Sequence, residues 1–195
     1  QAEAERNPLA CAYLSSPIRG IKQLVYFWPQ IIERFSASTL SIFYGWETAP
    51  TYLSGIREFR TQVMRTIAAL PNVKWEGRVP QVELERRLPG MGVWLYPTHF
   101  PEGYAISGVR AAAAGLAPVY RKVAAMEEIQ YPSPYAVPET KWEAGGREEF
   151  LAAALRALED SQAGWIDREA LRNWATHERS WTRVADAVIA AGVGR

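Results

Sequence analysis

Five short apolar segments recur along the chain, "LACAYLS" (9–15), "TLSIFYG" (39–45), "NVKWEG" (72–77), "MGVWLYP" (91–97) and "LAPVY" (116–120), with a stretch of helical periodicity between each and the next. This alternation constrains the fold more than any other feature. Strands that are apolar throughout have to be covered on both faces, and strands spaced by helices of roughly ten to sixteen residues are the pattern of a parallel sheet. The expected fold class is therefore α/β, a Rossmann-like doubly wound parallel sheet with helices on both faces.

The first helix is the clearest. In "GIKQLVYFWPQIIERF" (20–35), Ile21, Leu24, Val25, Trp28, Ile31, Ile32 and Phe35 share one face, and Pro29 is expected to kink the helix or mark a tight end. Further helices are expected at about 55–70, at 80–88 with proline in the first turn, and at about 103–115. Three prolines and two glycines in "QYPSPYAVPETKWEAGG" (130–146) read as a long irregular loop. Amphipathic helices follow at 147–160 and 167–192, the second broken near His177. The organisation expected is one domain over 1–195, with 167–192 as a C-terminal helical segment.

Length and charge exclude several classes. A chain of 195 residues buries a core without disulfides or structural metal, and its single cysteine, Cys11, has no internal partner. Two histidines, His99 and His177, are too few for most histidine-rich metal sites. With 22 basic and 21 acidic side chains, nothing biases the chain toward nucleic acid or an anionic membrane. No apolar run approaches the roughly 20 residues of a membrane span, and no signal peptide pattern opens the chain. The expected location is cytoplasmic, with membrane-peripheral attachment of a full-length protein left open. Because the chain begins at Gln1 rather than methionine, it is expected to be a piece of something longer.

One stretch carries most of the functional signal, "FPEGYAISGVRAAAAGLAPVY" (100–120). In open parallel sheets ligands bind outside the carboxyl ends of the strands, and Glu102 lies in such a loop, just before a helix N-terminus suited to an anion. The alanines at 111–114 with Gly115 let that helix lie close to the sheet or to a ligand. The alternative is ordinary: an acid in a cap region and a run of good helix formers. Trp28, Trp94, Trp174 and Trp181 sit at core spacing, whereas Trp46 and Trp142 lie in loops and are candidates for a sugar platform or a partner's surface. His177 reads as structural.

The segments "SSPIRGIKQL", "TLSIFYG" and "NVKWEGRVPQVELERRLPGMGVWLYPTHFPEGYAISGVRAAAAGLAPV" together resemble the C-terminal, donor-binding domain of retaining GT-B glycosyltransferases, notably glycosyltransferase family 4. The likeness covers most of 9–128 and is strongest over 72–120. It implies one half of a GT-B fold, a nucleotide-diphosphate sugar as donor, retention at the anomeric carbon, and no obligatory metal or other cofactor. It implies also that an N-terminal acceptor domain is missing from this chain, which alone is expected to be inactive, and that the segment after Trp174 returns toward that domain. The expected partners are thus a nucleotide sugar and the missing domain, with no nucleic acid.

Residue by residue, Glu102 takes the place of the first acid of the family's pair and is expected to accept from donor-sugar hydroxyls. The amides of Gly103, Tyr104 and Ala105 then face sugar and diphosphate. Arg19, just before Gly20, matches the basic residue that neutralises the departing diphosphate, and Glu102 and Arg19 are the side chains expected to carry the chemistry. Ser15 and Ser16 have two readings, donors to phosphate or plain turn residues. Arg78 and Val79 are placed against the base, and His99 at the cleft rim either touches substrate or is structural. The sequence departs from the family twice. The second acid, seven residues beyond Glu102, is replaced by Arg110, which donates where a carboxylate accepts, and a second basic clamp residue is replaced by Tyr13. Lys22 either substitutes or lies on a solvated helix face. These departures support an alternative, a degenerate, non-catalytic GT-B-like module acting as scaffold or regulatory partner. A third class, an oxidoreductase or other nucleotide-binding domain, lacks support: there is no G-x-G-x-x-G, P-loop, zinc spacing or nucleophile elbow.

Overall fold

The computed structural model describes residues 5–47, 55–129 and 131–192; Gln130, the first residue of the expected loop, and both ends of the expected domain lie outside these. Six strands form one all-parallel sheet: β1 (Asn7–Tyr13), β2 (Thr39–Ile42), β3 (Val73–Trp75), β4 (Met91–Tyr96), β5 (Ala117–Arg121) and β6 (Ala136–Val137). Their order is β3-β2-β1-β4-β5-β6, so the chain winds outward from β1 in one direction, then returns beside β1 and winds outward in the other. β1 pairs with both central neighbours, Ala12 lying opposite Ser41 of β2 and Trp94 of β4. Every residue of β4 and β5 is buried, which is what apolar strands covered on both faces require.

Helix α1 (Ile21–Arg34) buries Ile21, Leu24, Val25, Phe27, Trp28 and Ile31, while Ile32 and Phe35 are only partly buried against the core. Of the two expectations for Pro29, the tight end does not hold: the helix runs through it for five more residues. Proline forgoes one amide and bends the ladder, but Ile31 beyond it is fully buried, and tertiary packing holds the last turn in place. Helices α2 (Ile56–Ala69) and α3 (Gln81–Arg87) follow the expected spans closely.

Helix α4 (Ile106–Ala113) is shorter than expected, because residues 103–105 remain loop, and it ends at Gly115 in the left-handed region (φ 77°). Its small side chains do bring it close. A β-carbon on Gly108 would meet the Tyr131 hydroxyl at 2.2 Å and the Trp94 ring at 2.7 Å, and Ala111 and Ala112 are fully buried. A short helix α5 (Ala125–Ile129) matches the segment expected after β5, with Glu127 and Glu128 exposed.

Strand β6 lies inside the stretch expected to be irregular loop. Two residues between Pro134 and Pro138 are too few to show period-two alternation, and pairing with β5 decides them. Helix α6 (Gly146–Gln162) crosses the sheet, packing against β1, β4, β5 and β6. Helix α7 (Arg168–Asn173) continues into a π-helical turn (Trp174–Glu178), and after a break α8 (Trp181–Gly192) follows. The break near His177 is where the sequence placed it; His177 Nδ1 meets the Asn173 carbonyl and the Thr176 hydroxyl, each at 3.1 Å.

The aromatic residues divide differently from expectation. Trp28 and Trp94 are core, and Trp174 is half-buried against Tyr131. Trp181, expected in the core, is 78% exposed, because no residue of α8 is buried. Trp46 and Trp142, expected as candidates for a sugar platform or a partner's surface, are packed: Trp46 stacks on Trp75 at 5.6 Å, and Trp142 lies between Phe27, Phe150 and the Arg121 guanidinium.

Candidate functional site

The winding reverses between β1 and β4, and a cleft of about 350 Å³ opens beyond their carboxyl ends. Two loops build it. The first leaves β1 through Ser15 and Ser16 into a single 3-10 turn (Pro17–Arg19) and then Gly20. Gly20 adopts φ 121°, and a β-carbon there would stand 2.7 Å from the Pro97 carbonyl oxygen, so glycine lets this loop press against the end of β4. The second loop leaves β4 at Pro97 and carries Glu102.

Glu102 is the centre of the site. Its side chain is 4% exposed, and Arg19 Nη1 donates to Oε2 at 2.8 Å and to Oε1 at 3.0 Å. The hydroxyl of Tyr96, the last residue of β4, donates to Glu102 Oε1, and the Ser15 hydroxyl lies 3.3 Å from the same phenol oxygen. Burial first, and the hydrogen bond to Glu102 second, push the Tyr96 hydroxyl up to about 12, so it keeps its proton and donates a hydrogen bond at neutral pH. The Arg19 guanidinium also lies 4.5 Å above the Phe100 ring, and its Nε is buried without a hydrogen-bond partner among the described residues. The loop backbone is tied as well: the Ala125 amide donates to the Glu102 carbonyl at 3.1 Å, where Glu102 bridges to Ala124. Behind it, the buried Arg121 donates to the carbonyls of Thr98 (3.2 Å) and Thr140.

Of the other expected residues, Ser15, Ser16, Tyr104, Ala105 and Arg110 line this cleft. Arg110 is half-buried and its side chain, among the described residues, forms no ion pair or hydrogen bond. The cleft thus holds two guanidinium groups against a single carboxylate. Gly103 is exposed beside it without lining it. Arg78 is exposed and Val79 packs against the core, and the cleft wall on that side is made by Leu84 of α3 and Tyr44. His99 lies outside, at the rim of a neighbouring cleft with the exposed Lys22; its Nδ1 is 3.4 Å from the Gln23 amide, and burial, then the nearby Arg121, hold its pKa below the ordinary value. Lys22 therefore adds no charge to the Glu102 cleft. Tyr13, where a second cation was expected, donates to the Ser16 carbonyl at 2.7 Å and braces the turn instead.

Sequence reasoning missed Tyr96, Ser107, Tyr44 and Leu84. A signal existed for Tyr96, a hydroxyl at the carboxyl end of a strand immediately before Pro97. The others come from helix faces and loop paths that pattern alone does not aim.

No family model and no curated protein matches this chain. Solved structures do. Sucrose-phosphate synthase from Thermosynechococcus elongatus superposes with a TM-score of 0.74 at 16% identity, over 100% of this chain and 46% of its own. Anabaena HepE in complex with UDP and glucose gives 0.69 at 16% identity, over 97% and 49%. WaaG, a glycosyltransferase involved in lipopolysaccharide biosynthesis, gives 0.64 at 15%, over 89% and 44%.

The fold is that of a GT-B glycosyltransferase domain. The chain spans about half the length of these structures, and at such identities the likeness speaks for architecture. No helix among the described residues is long and apolar enough to cross a membrane.

Proposed function

We propose that this chain is the donor half of a retaining glycosyltransferase of the family-4 kind, binding a nucleotide-diphosphate sugar for transfer of a hexosyl group to a glycan or lipid-linked acceptor. The observation that carries the reading is the Arg19–Glu102 couple at the reversal point of a parallel sheet with this fold. Glu102 accepts from sugar hydroxyls. Arg19, with the loop amides of Gly103, Tyr104 and Ala105, takes the diphosphate and stabilises its charge as the bond to the sugar breaks, a role filled without an obligatory metal. Ser15 and Ser16 add hydroxyl donors. Arg110 faces the nucleotide and donates to ribose or phosphate oxygens, and Arg78 with Val79 stays on the outer side of the base.

Half an enzyme of this kind is inactive alone, since the acceptor-binding domain supplies the other wall. Helix α8 offers the surface to receive that domain: Trp181, Val184, Val188 and Ile189 are between 44% and 78% exposed on an amphipathic helix with no buried residue.

A second reading is a degenerate module that keeps the fold as a scaffold. Tyr13 favours it, because its hydroxyl is committed to the Ser16 carbonyl and this position supplies no cation. Calorimetric titration with UDP, GDP and ADP separates the two. The donor-half reading expects binding selective for one base, weakened in Glu102→Ala when the sugar is attached and altered in Arg110→Glu. No binding of any diphosphate at millimolar concentration supports the scaffold.

A further inference from the structure

The Glu102 carboxylate has about four lone-pair positions, and three are occupied: Arg19 Nη1 spans both oxygens and Tyr96 takes one on Oε1. On the donor-half reading, a diphosphate competes for Arg19 while sugar hydroxyls compete for Glu102. The ion pair therefore has to loosen for both ends of the ligand to be held. Once the guanidinium turns to phosphate, the Tyr96 hydroxyl is the one remaining side-chain hydrogen bond to Glu102 among the described residues.

Tyr96 is built to hold a fixed position. It closes β4, is 1% exposed, stacks on Trp94 at 5.0 Å with 20° between the rings, and packs against Tyr13 at 6.2 Å. Its ring cannot turn without breaking that stack, so the hydroxyl is a pre-placed donor rather than an adaptable one. Arg19 differs: its side chain is 35% exposed and lies over Phe100, so solvent or a ligand reaches it where neither reaches Tyr96.

We propose that Tyr96 is a positioning residue for Glu102, its buried hydroxyl keeping the carboxylate aimed into the cleft when a diphosphate draws Arg19 away. This rests on the donor-half reading and deepens it. The anchored oxygen, Oε1, is oriented by the phenol, and Oε2 becomes the acceptor for sugar hydroxyls. Diphosphate and sugar recognition are then coupled through one carboxylate: phosphate binding frees the acceptor that the sugar uses, and Tyr96 preserves its geometry.

The test measures the affinity that a sugar adds to a nucleotide diphosphate. UDP, GDP and ADP are titrated beside UDP-glucose, UDP-N-acetylglucosamine, GDP-mannose and ADP-glucose, using wild type, Tyr96→Phe, Glu102→Gln and the double variant. Phenylalanine keeps the ring stack, and an unchanged affinity for the bare diphosphate reports an intact fold. Tyr135→Phe, which removes a phenol bonded to Asp160 away from the cleft, is the control and retains the full sugar increment.

The expected result is a sugar increment about tenfold smaller in Tyr96→Phe with the bare diphosphate within about twofold of wild type, and a double variant no worse than Glu102→Gln alone. A merely structural phenol would lower both affinities together and add its loss to that of Glu102→Gln, which overturns the proposal. An unchanged increment in Tyr96→Phe overturns it too, as does a wild type whose affinity no sugar raises. Failure of wild type to bind any diphosphate overturns the donor-half reading itself, and the proposal with it.

Discussion

Two inward-facing carboxylates, Glu102 and Glu76, have side chains 4% and 7% exposed, and their surroundings diverge. Glu76 follows β3 and meets two cations, Arg87 at 2.6 Å and Lys74 at 3.0 Å, with the Ser41 hydroxyl at 3.4 Å. Arg87 is itself packed 4.6 Å above Phe43. The cluster ties α3 to the sheet edge and lines no cleft among those around the site. Glu102 has one cation, a phenol, and an open cleft in front of it. Surplus positive charge marks a carboxylate used as a fastener, whereas a single, partly exposed partner beside a cavity leaves acceptor capacity for a ligand.

The largest expected contrast is in ligand affinity. Glu102→Gln lowers nucleotide-sugar affinity about ten- to a hundredfold, through the lost charge-assisted acceptor, while Glu76→Gln leaves it within about twofold. Titration calorimetry of both variants checks this, and equal losses would break the comparison.

Stability should invert the redundancy. Arg19→Met strips Glu102 of the one cation that pairs with it among the described residues and is expected to cost about 2 kcal/mol, reduced from the fully buried case because Arg19 reaches solvent. Arg87→Met leaves Lys74 on Glu76 and is expected to cost about 1 kcal/mol. Urea unfolding of the two variants sharpens the comparison, and a costlier Arg87→Met would reverse it.

The smallest effect is on acid stability. Burial alone raises the Glu76 carboxyl, but hydrogen bonds and charge from Arg87 and Lys74 outweigh it and hold the pKa below the ordinary 4.5. A depressed carboxylate contributes stability above its unfolded value, and that contribution is lost as pH falls through the folded value. Glu76→Gln should therefore flatten the pH dependence of unfolding below about 4.5, with little change in that slope at pH 7. An unaltered acid limb would remove the electrostatic account of this cluster.

Much of this was legible in the chain. Strands β1 to β5 are mostly apolar and bounded by turn residues, so pattern found them. Glu102 stood out because it stands where a strand hands over to a helix beside Pro and Gly, while Arg19 was singled out only through the family resemblance; that the two meet is what the structure adds. Strand β6 was not, since two residues between prolines owe their conformation to β5. Trp181 misled because helical spacing reports which residues share a face, not whether anything covers it. Arg78, placed against the base by the resemblance, and His99, given either a substrate or a structural role, do not line the Glu102 cleft, because the loops that carry them run beside it.

By itself the sequence determined the parallel α/β plan and the loops in which a polar site forms, because hydrophobic periodicity and turn chemistry are local properties of the chain. Tertiary structure alone decided that Tyr96 reaches Glu102, that Arg19 pairs with an acid 83 positions away, and that α8 keeps its apolar face in solvent. Those outcomes depend on strand order and loop closure, which bring together residues whose separation along the chain carries no trace of their distance in space.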